Sequence, residues 1–277
     1  MKFFKELPKS IYYSSILRIK SIKGLTKNKK QLPVIVSMTS IIQRLSTLDI
    51  VIKGLLYQDV LPEKIVLWLH KDLKSKIPKR LKNLEGKFFE IRYSSLDCPH
   101  LKLVESLKAF PTKTIITSDD DFIYIDNHLN NLYEEHLKYP NCVIANKTTQ
   151  IKFDENNNYK PFVDWRSKEK HNHNNILLPL GAWGVLYPPN SMPEKVYDED
   201  LFFKLAPKAD DLWFKAMTLI KNTISIEVEN KPKEPIPVIG SQKVSLKQEN
   251  VKNNKNEIQW EALSNHFKLK EILLKNE

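Results

Sequence analysis

Short apolar runs alternate with helical patterns along the first half of the chain, and this alternation limits the possible folds more than any other feature. The runs at 33–37, 65–69, 88–93 and 114–118 are separated by stretches in which leucine and isoleucine recur at helical spacing. Such an order is typical of a largely parallel sheet covered by helices. The sequence therefore predicts an α/β fold that begins βαβαβ.

The second half is less regular but continues the same pattern. We predict a strand at 143–145 and helices at 129–139, 198–205, 210–220 and 260–274. Asn, Lys and His dominate an expected exposed excursion at 152–175. The predicted organisation is a basic N-terminal extension at 1–30, one domain at 31–240, a polar loop at 241–258 and a C-terminal helix at 259–277.

Composition excludes several classes of protein. The chain has 277 residues, of which 41% are hydrophobic, and this suffices for one large core. No apolar run approaches the roughly 20 residues that cross a bilayer, and the start lacks the pattern of a signal peptide. Cys98 and Cys142 are far apart and form no Cys-x-x-Cys motif. We therefore expect a cytoplasmic protein with reduced cysteines.

Positive charge is concentrated at the N-terminus. Residues 1–30 carry nine lysines and arginines against the single acid Glu6, a local net charge of +8, mixed with aromatic and aliphatic side chains. This mixture suits the anionic inner face of the plasma membrane, to which the protein would bind peripherally. A solvated basic lead-in is the alternative. We expect no nucleic-acid partner, because no basic and aromatic repeat follows.

Three consecutive aspartates, Asp119, Asp120 and Asp121, follow the apolar run at 114–118. Ligands of open α/β sheets bind beyond the carboxyl ends of the strands, which is where these carboxylates would lie. If the strand continues through them, Asp119 and Asp121 point to one side and could hold a divalent cation, Mn²⁺ or Mg²⁺, that binds a diphosphate. An acidic turn or a helix N-terminus is the alternative.

Several segments in this order resemble bacterial glycosyltransferases of the GT-A fold that carry a DXD motif. The similarity covers roughly residues 33–225 and rests on 33–37 with Thr39, Ser40 and Arg44, on 99–102, on 115–121 with Tyr124, on 181–189, and on 209–213. It implies a GT-A-like, Rossmann-like fold and transfer of a sugar from a nucleoside diphosphate sugar. Relatives are often associated with capsule or lipopolysaccharide assembly, which implies a cell-surface glycan or a lipid-linked acceptor.

The resemblance also implies roles for individual residues. The first strand and the next turn would cradle the nucleotide through Ser37, Thr39, Ser40 and Arg44, although Thr39 and Ser40 could instead cap a helix. Lys102 would reach the nucleotide or diphosphate, but the family usually has two lysines where this chain has Leu101 and Lys102. By the same resemblance Asp119 lies near the ribose, Asp120 contacts the donor and Asp121 holds the metal.

Two later segments complete the expected site. Gly181 and Trp183 would form a wall between donor and acceptor, since glycine admits close approach and an indole can stack on a sugar; a buried tryptophan between turn glycines is the alternative. The resemblance makes the acidic pair Asp210 and Asp211 the source of the catalytic base, with Asp211 taking a proton from the acceptor hydroxyl. Asp210 as an ordinary helix cap is the alternative.

The sequence thus predicts a metal-dependent hexosyltransferase, preferably inverting with Asp211 as base. A retaining enzyme would keep the donor site without that base. A metal-dependent phosphodiesterase or nucleotidyltransferase also stays open, because Asp210 and Asp211 could supply a second acidic cluster. A catalytically silent glycan-binding or scaffold protein at the membrane is the third class.

Overall fold

A computed structural model describes residues 2–165, 173–241 and 254–275. Its central sheet has eight strands in the order β10-β13-β8-β12-β6-β2-β4-β5. Only β12 and β10 run antiparallel to the strands beside them, while the other strands of this sheet run parallel. The predicted α/β fold with a mostly parallel sheet flanked by helices is confirmed.

The strands in the described part of the chain are β1 (Lys30–Gln31), β2 (Val34–Thr39), β3 (Val60–Leu61), β4 (Lys64–His70), β5 (Phe89–Ser94), β6 (Thr114–Thr117), β7 (Phe122–Ile123), β8 (Val143–Ala145), β9 (Thr148–Gln150), β10 (His173–Asn174), β11 (Leu177–Pro179), β12 (Val185–Tyr187), β13 (Ser225–Glu227) and β14 (Ile236–Pro237). Three short pairs, β1-β3, β9-β11 and β7-β14, lie outside the central sheet.

The helices in the same ranges are α1 (Lys2–Ile19), α2 (Ile22–Thr26), α3 (Leu48–Tyr57), α4 (Lys79–Lys82), α5 (Leu101–Ala109), α6 (His128–Lys138), α7 (Glu199–Leu205), α8 (Asp210–Ile220), α9 (Lys255–Phe267) and α10 (Leu269–Leu274).

Alternate residues of the central strands enter two hydrophobic cores, one on each face of the sheet. On β2, Val34 and Val36 join the core that contains α3, and Ile35 joins the core that contains α5 and α8. A strand buried on both faces needs a continuous apolar run, which explains why β2, β4 and β6 were readable as strands. β5 lies at the edge of the sheet and is mostly half-buried.

The antiparallel strand β12 lies between β6 and β8 and fixes the position of the preceding turn. Val185, its first residue, pairs with Thr117, the last residue of β6. The turn Gly181–Trp183 therefore lies at the carboxyl end of β6, beside the aspartates that follow that strand. Residues distant in sequence meet there because of this register.

The N-terminal extension is helical and packs on the domain. Leu17 of α1 and Leu25 of α2 are buried in the same core as α3. Ser10 Oγ donates a hydrogen bond to the carbonyl of Pro237, at the end of β14, at 2.6 Å. No helix among the described residues is long and apolar enough to cross a membrane.

The C-terminal part differs from its prediction in two ways. The expected helix at 260–274 begins earlier, at Lys255, and is broken at Lys268, whose φ of +54° is left-handed. Its Trp260 packs edge-on against Trp165, with ring centroids 5.6 Å apart, so part of the expected exposed excursion is buried. Residues 166–172 of that excursion and 242–253 of the expected polar loop lie outside the described residues.

Lys215 of α8 is the least expected residue of the core. It is 1% exposed, and its ammonium group has only a long contact of 3.4 Å to Ser225 Oγ among the described residues. Burial lowers the pKa of Lys215 from 10.5 to about 7. The folded protein therefore either holds Lys215 as a buried ammonium ion or holds it as a neutral amine that has released its proton.

We predict that Lys215→Met stabilises the protein at pH 6 by roughly 1–4 kcal/mol, the range seen when buried ionic groups become apolar. Between pH 7 and 10.5 the unfolded chain binds more protons at Lys215 than the folded chain does, so wild-type stability rises with pH. The stability advantage of Lys215→Met over the wild type should therefore be smaller at pH 9 than at pH 6. Urea unfolding at pH 6 and pH 9 measures this.

The exposed Lys221 follows the same helix, and Lys221→Met is the matched control, with an expected effect within about 0.5 kcal/mol. If wild type and Lys215→Met differ in free energy of unfolding by the same amount at both pH values, the buried charge at Lys215 is contradicted as the cause.

Candidate active site

The aspartate triplet lies in a turn, not in a strand. β6 ends at Thr117, Ser118 N donates to the carbonyl of Ser37 at 3.0 Å, and the chain turns before β7. The strand alternation that would place Asp119 and Asp121 on one side does not apply to a turn. The carboxylates instead divide between two cations.

Arg44 binds two of the three aspartates. Its guanidinium contacts the carboxylate of Asp120 and lies 3.0 Å from Asp121 Oδ2. Ser40 Oγ donates to the other oxygen of Asp120 at 2.5 Å. Burial raises the pKa of Asp120, while Arg44 and Ser40 oppose that rise. Arg44 and Ser40 are thus at the predicted site, although here they bind carboxylates.

Ser241 connects Arg44 and Asp121 to the segment that follows β14. Its hydroxyl donates to the carbonyl of Val238 at 2.7 Å and lies 3.2 Å from the carbonyl oxygen of Asp121, and its own carbonyl accepts from Arg44 Nε at 3.3 Å. No sequence pattern indicated Ser241, because these contacts join residues far apart in the chain.

Lys102 forms ion pairs with the third aspartate and with a fourth carboxylate. Its ammonium nitrogen is 2.9 Å from Asp119 Oδ1 and 2.9 Å from Asp210 Oδ2. Burial lowers the pKa of Lys102, but Asp119, Asp210 and Asp211 raise it by more, so the pKa lies well above its usual value. Lys102 is therefore charged and joins α5, the aspartate turn and α8.

Asp211 is half-buried beside this cluster. Its Oδ2 accepts a hydrogen bond from Gly181 N at 3.0 Å. Burial and the neighbouring charge of Asp210 raise the pKa of Asp211 to about 7, and Lys102 opposes them. A carboxylate that titrates near neutral pH is suited to accept and release a proton.

Gly181 leaves room for this carboxylate. A Cβ atom at position 181 would lie 2.6 Å from Asp211 Oδ1, closer than non-bonded atoms approach. Glycine therefore allows both the close approach and the backbone hydrogen bond. The prediction that this glycine admits close contact is met by a carboxylate of the protein itself; its contact with a sugar stays a prediction.

Tyr124 connects the aspartate turn to the turn Gly181–Trp183. It is fully buried, its hydroxyl accepts from Asp119 N at 2.8 Å and donates to the carbonyl of Ala182 at 3.2 Å. Trp183 is half-buried, and the ammonium group of Lys147 lies 4.5 Å from the centroid of its ring. Lys147 thus contacts the indole that we expected to stack on a sugar, and nothing in the sequence pattern indicated it.

Two side chains that we expected to contact the nucleotide form hydrogen bonds within the protein instead. Ser37 is fully buried; its hydroxyl donates to the carbonyl of Lys102 and accepts from Ser106 Oγ at 2.7 Å. Thr39 Oγ1 donates to the carbonyl of Trp68 at 2.9 Å. The role expected for Ser37 does not fit this position, because its side chain holds α5 against β2 and faces no solvent.

His100, which precedes Lys102, is likewise structural. Its ring stacks on Phe202 with centroids 4.4 Å apart, and it is completely buried. Burial lowers the pKa of His100 to about 4, so the imidazole is neutral.

Carboxylate oxygens are suitable ligands for a hard divalent cation. The described residues, however, contain no group of three or more His, Cys, Asp and Glu side chains gathered to hold a metal. Asp119 and Asp121, the expected pair, contact different cations of the protein. The donor chemistry fits Mn²⁺ or Mg²⁺, but the expected pair supplies only two carboxylates, and each of them is paired with a cation of the protein.

Neither a protein-family model nor a curated protein matches this sequence. Three solved structures have backbones similar to that of this chain. 4-Diphosphocytidyl-2C-methyl-D-erythritol synthase from Anaerococcus prevotii DSM 20548 has 14% identity and a TM-score of 0.39, covering 83% of this chain and 98% of its own. Apo UDP-glucose pyrophosphorylase has 9% identity and a TM-score of 0.38, covering 87% and 98%.

The third structure is CMP:2-keto-3-deoxy-manno-octonic acid synthetase in complex with CTP. It has 9% identity and a TM-score of 0.40, and the alignment covers 83% of this chain and 99% of that one. The α/β fold stands on the strand order and register of the chain itself.

Proposed function

We propose that the protein is a transferase that moves a sugar from a nucleoside diphosphate sugar to the hydroxyl group of a glycan or lipid-linked acceptor. The observation that carries this proposal is the placement of Asp211. It is a half-buried carboxylate with a pKa of about 7, held by Gly181 N beside the aspartates at the carboxyl end of β6. That edge of an open α/β sheet is where ligands bind.

In the proposed reaction, the acceptor oxygen forms a bond to the anomeric carbon as the bond from that carbon to the diphosphate oxygen breaks. Asp211 takes the proton of the acceptor hydroxyl, and the diphosphate leaves with the electron pair of the broken bond. Gly181 N orients the carboxylate, and Lys102 places positive charge beside it. This arrangement supports an inverting reaction, because a retaining enzyme would not need Asp211 as base.

The donor half of the proposal rests on Arg44 and Lys102. Both cations are at the carboxyl ends of the strands, and guanidinium and ammonium groups bind phosphate oxygens well. A diphosphate would compete with Asp120 and Asp121 for Arg44. Asp121 and Asp119 are the proposed ligands of Mn²⁺ or Mg²⁺, which would neutralise charge on the departing diphosphate.

Nucleotidyl transfer is the second candidate. It is favoured by the finding that Asp210 and Asp211 lie in one cluster with Asp119, because phosphoryl chemistry with two metals needs a second acidic group. The products separate the two reactions. Sugar transfer releases a nucleoside diphosphate, whereas a nucleotidyltransferase releases pyrophosphate from a nucleoside triphosphate.

We expect nucleoside diphosphates and their sugars to raise the melting temperature of the protein by several degrees, and Mn²⁺ to increase that shift. A ligand at about 100 times its Kd stabilises the native state by about 2.7 kcal/mol. Asp121→Asn should abolish the Mn²⁺-dependent part, whereas Asp59→Asn should not, because Asp59 is an exposed acid that precedes β3 and β4, at the opposite end of the sheet. Stabilisation by nucleoside triphosphates alone, with pyrophosphate release, would instead favour the second candidate.

A further inference from the structure

α1 exposes several large apolar side chains, while small polar side chains are buried beside Leu17 on its inner side. Ser10 and Ser14 on its inner side are 2% and 9% exposed. Ile11, Tyr12 and Ile19 on its outer side are 51%, 60% and 85% exposed. A helix that only covers a soluble domain places its large apolar side chains on the inner side, so the outer side of α1 is suited to a further contact.

The apolar surface continues beyond the helix. Ile11, Ser15 and Arg18 line a groove of about 290 Å³ together with Val238 and Ile239. Ile239 is itself 40% exposed. Ile11, Tyr12, Ile19 and Ile239 form what we call the α1 face.

Positive charge surrounds the α1 face. Arg18 lines its groove, and Lys20, Lys23 and Lys27, which follow α1 in the chain, are all exposed. Among the described residues from 9 to 30, the only cation in a salt bridge is Lys9, at 3.8 Å from Glu6. The protein thus leaves the charge of this region almost uncompensated.

We propose that the α1 face binds the surface of a bilayer that contains anionic lipid. Isoleucine and tyrosine side chains would enter the boundary between headgroups and acyl chains, and the surrounding lysines and arginine would contact lipid phosphates. A second copy of the chain fits less well, because a symmetric contact through this face would bring the same cations together. The inference is independent of the proposed enzymatic reaction.

The test is sedimentation of the full chain with vesicles of phosphatidylcholine alone or with about 30% phosphatidylglycerol. We expect binding to the anionic vesicles only, and weaker binding as the salt concentration rises from about 0.1 to about 0.5 M, since salt screens exposed charges. The triple variant Ile11→Ser, Tyr12→Ser, Ile19→Ser should lose binding by about tenfold or more.

Leu137→Ser is the matched control, because Leu137 is 57% exposed on α6 and is not part of the α1 face. It should bind vesicles like the wild type, and circular dichroism should show all variants folded. Equal binding to both kinds of vesicle, or unchanged binding of the folded triple variant, would overturn the proposal. So would a dimer in light scattering that the triple variant loses, since the face would then bind a second copy.

Discussion

Asp211→Asn is expected to lower kcat for sugar transfer by about 10²- to 10⁴-fold, the contribution of a general base, and to leave donor affinity unchanged. Asparagine keeps an oxygen that can accept from Gly181 N but cannot take a proton. Initial rates with a nucleoside diphosphate sugar and an accepted glycan measure the loss. Asp200→Asn, which changes an exposed acid in the first turn of α7, is the matched control.

The same carboxylate should govern the pH dependence of the reaction. A base with a pKa of about 7 is protonated below that pH, so kcat should rise through pH 7 to a plateau in the wild type. The residual activity of Asp211→Asn should lack this rise. If the variant keeps its activity within about threefold, Asp211 is not the base and a retaining reaction is favoured.

Gly181→Ala tests the same step without altering a titratable group. The added methyl group would occupy the place of Asp211 Oδ1, so the carboxylate must move and kcat should fall while donor binding persists. A methyl group added at Gly86 would meet no other atom within 4 Å, so Gly86→Ala is the control for the glycine substitution itself. Full activity of folded Gly181→Ala would show that the observed position of Asp211 is not required.

Lys102→Met is expected to destabilise the fold by about 3–5 kcal/mol, because it leaves buried carboxylates without their cation. Lys102 is 8% exposed in its side chain and is 2.9 Å from both Asp119 and Asp210. The energy of these pairs is not screened as it would be at the surface. Urea unfolding monitored by tryptophan fluorescence gives the free energy of unfolding directly.

The control lies on the same helix. Lys108 also contacts two acids, Glu105 and Glu199, but its side chain is 39% exposed. Lys108→Met should therefore cost no more than about 1 kcal/mol. If Lys102→Met and Lys108→Met unfold at the same urea concentration, the buried cluster has no special energetic role.

The strands were predictable where burial on both faces demands a continuous apolar run. β2, β4 and β6 follow the predicted positions within a few residues, since no other element of this length needs such a run. β5 also follows its predicted position, although it is a half-buried edge strand. The break at Lys268 was not predictable, because the helical spacing of apolar residues continues across it while the backbone becomes left-handed. Trp260 and Leu273, on either side of the break, are buried in the same core.

The site, too, was predictable only in part. The position of the triplet after an apolar run indicated a strand end, and the acidic pair indicated a helix start. The choice of partner could not be predicted, because Lys102 and Asp210 meet only through the packing of α5 and α8 against the sheet. Gly181 N is a backbone donor, and a sequence does not reveal which carboxylate it will bind.

The place of β12 has a consequence for synthesis of the chain. β6 and β8 are both made before the strand that separates them. Until Tyr187 has left the ribosome, β6 must keep one edge unpaired and β8 must keep both, because its other partner is the later strand β13. Unpaired edges of apolar strands can join wrongly with other chains. A fragment that ends before Val185 would retain this gap permanently, so truncation there should yield an aggregating product rather than a smaller folded domain.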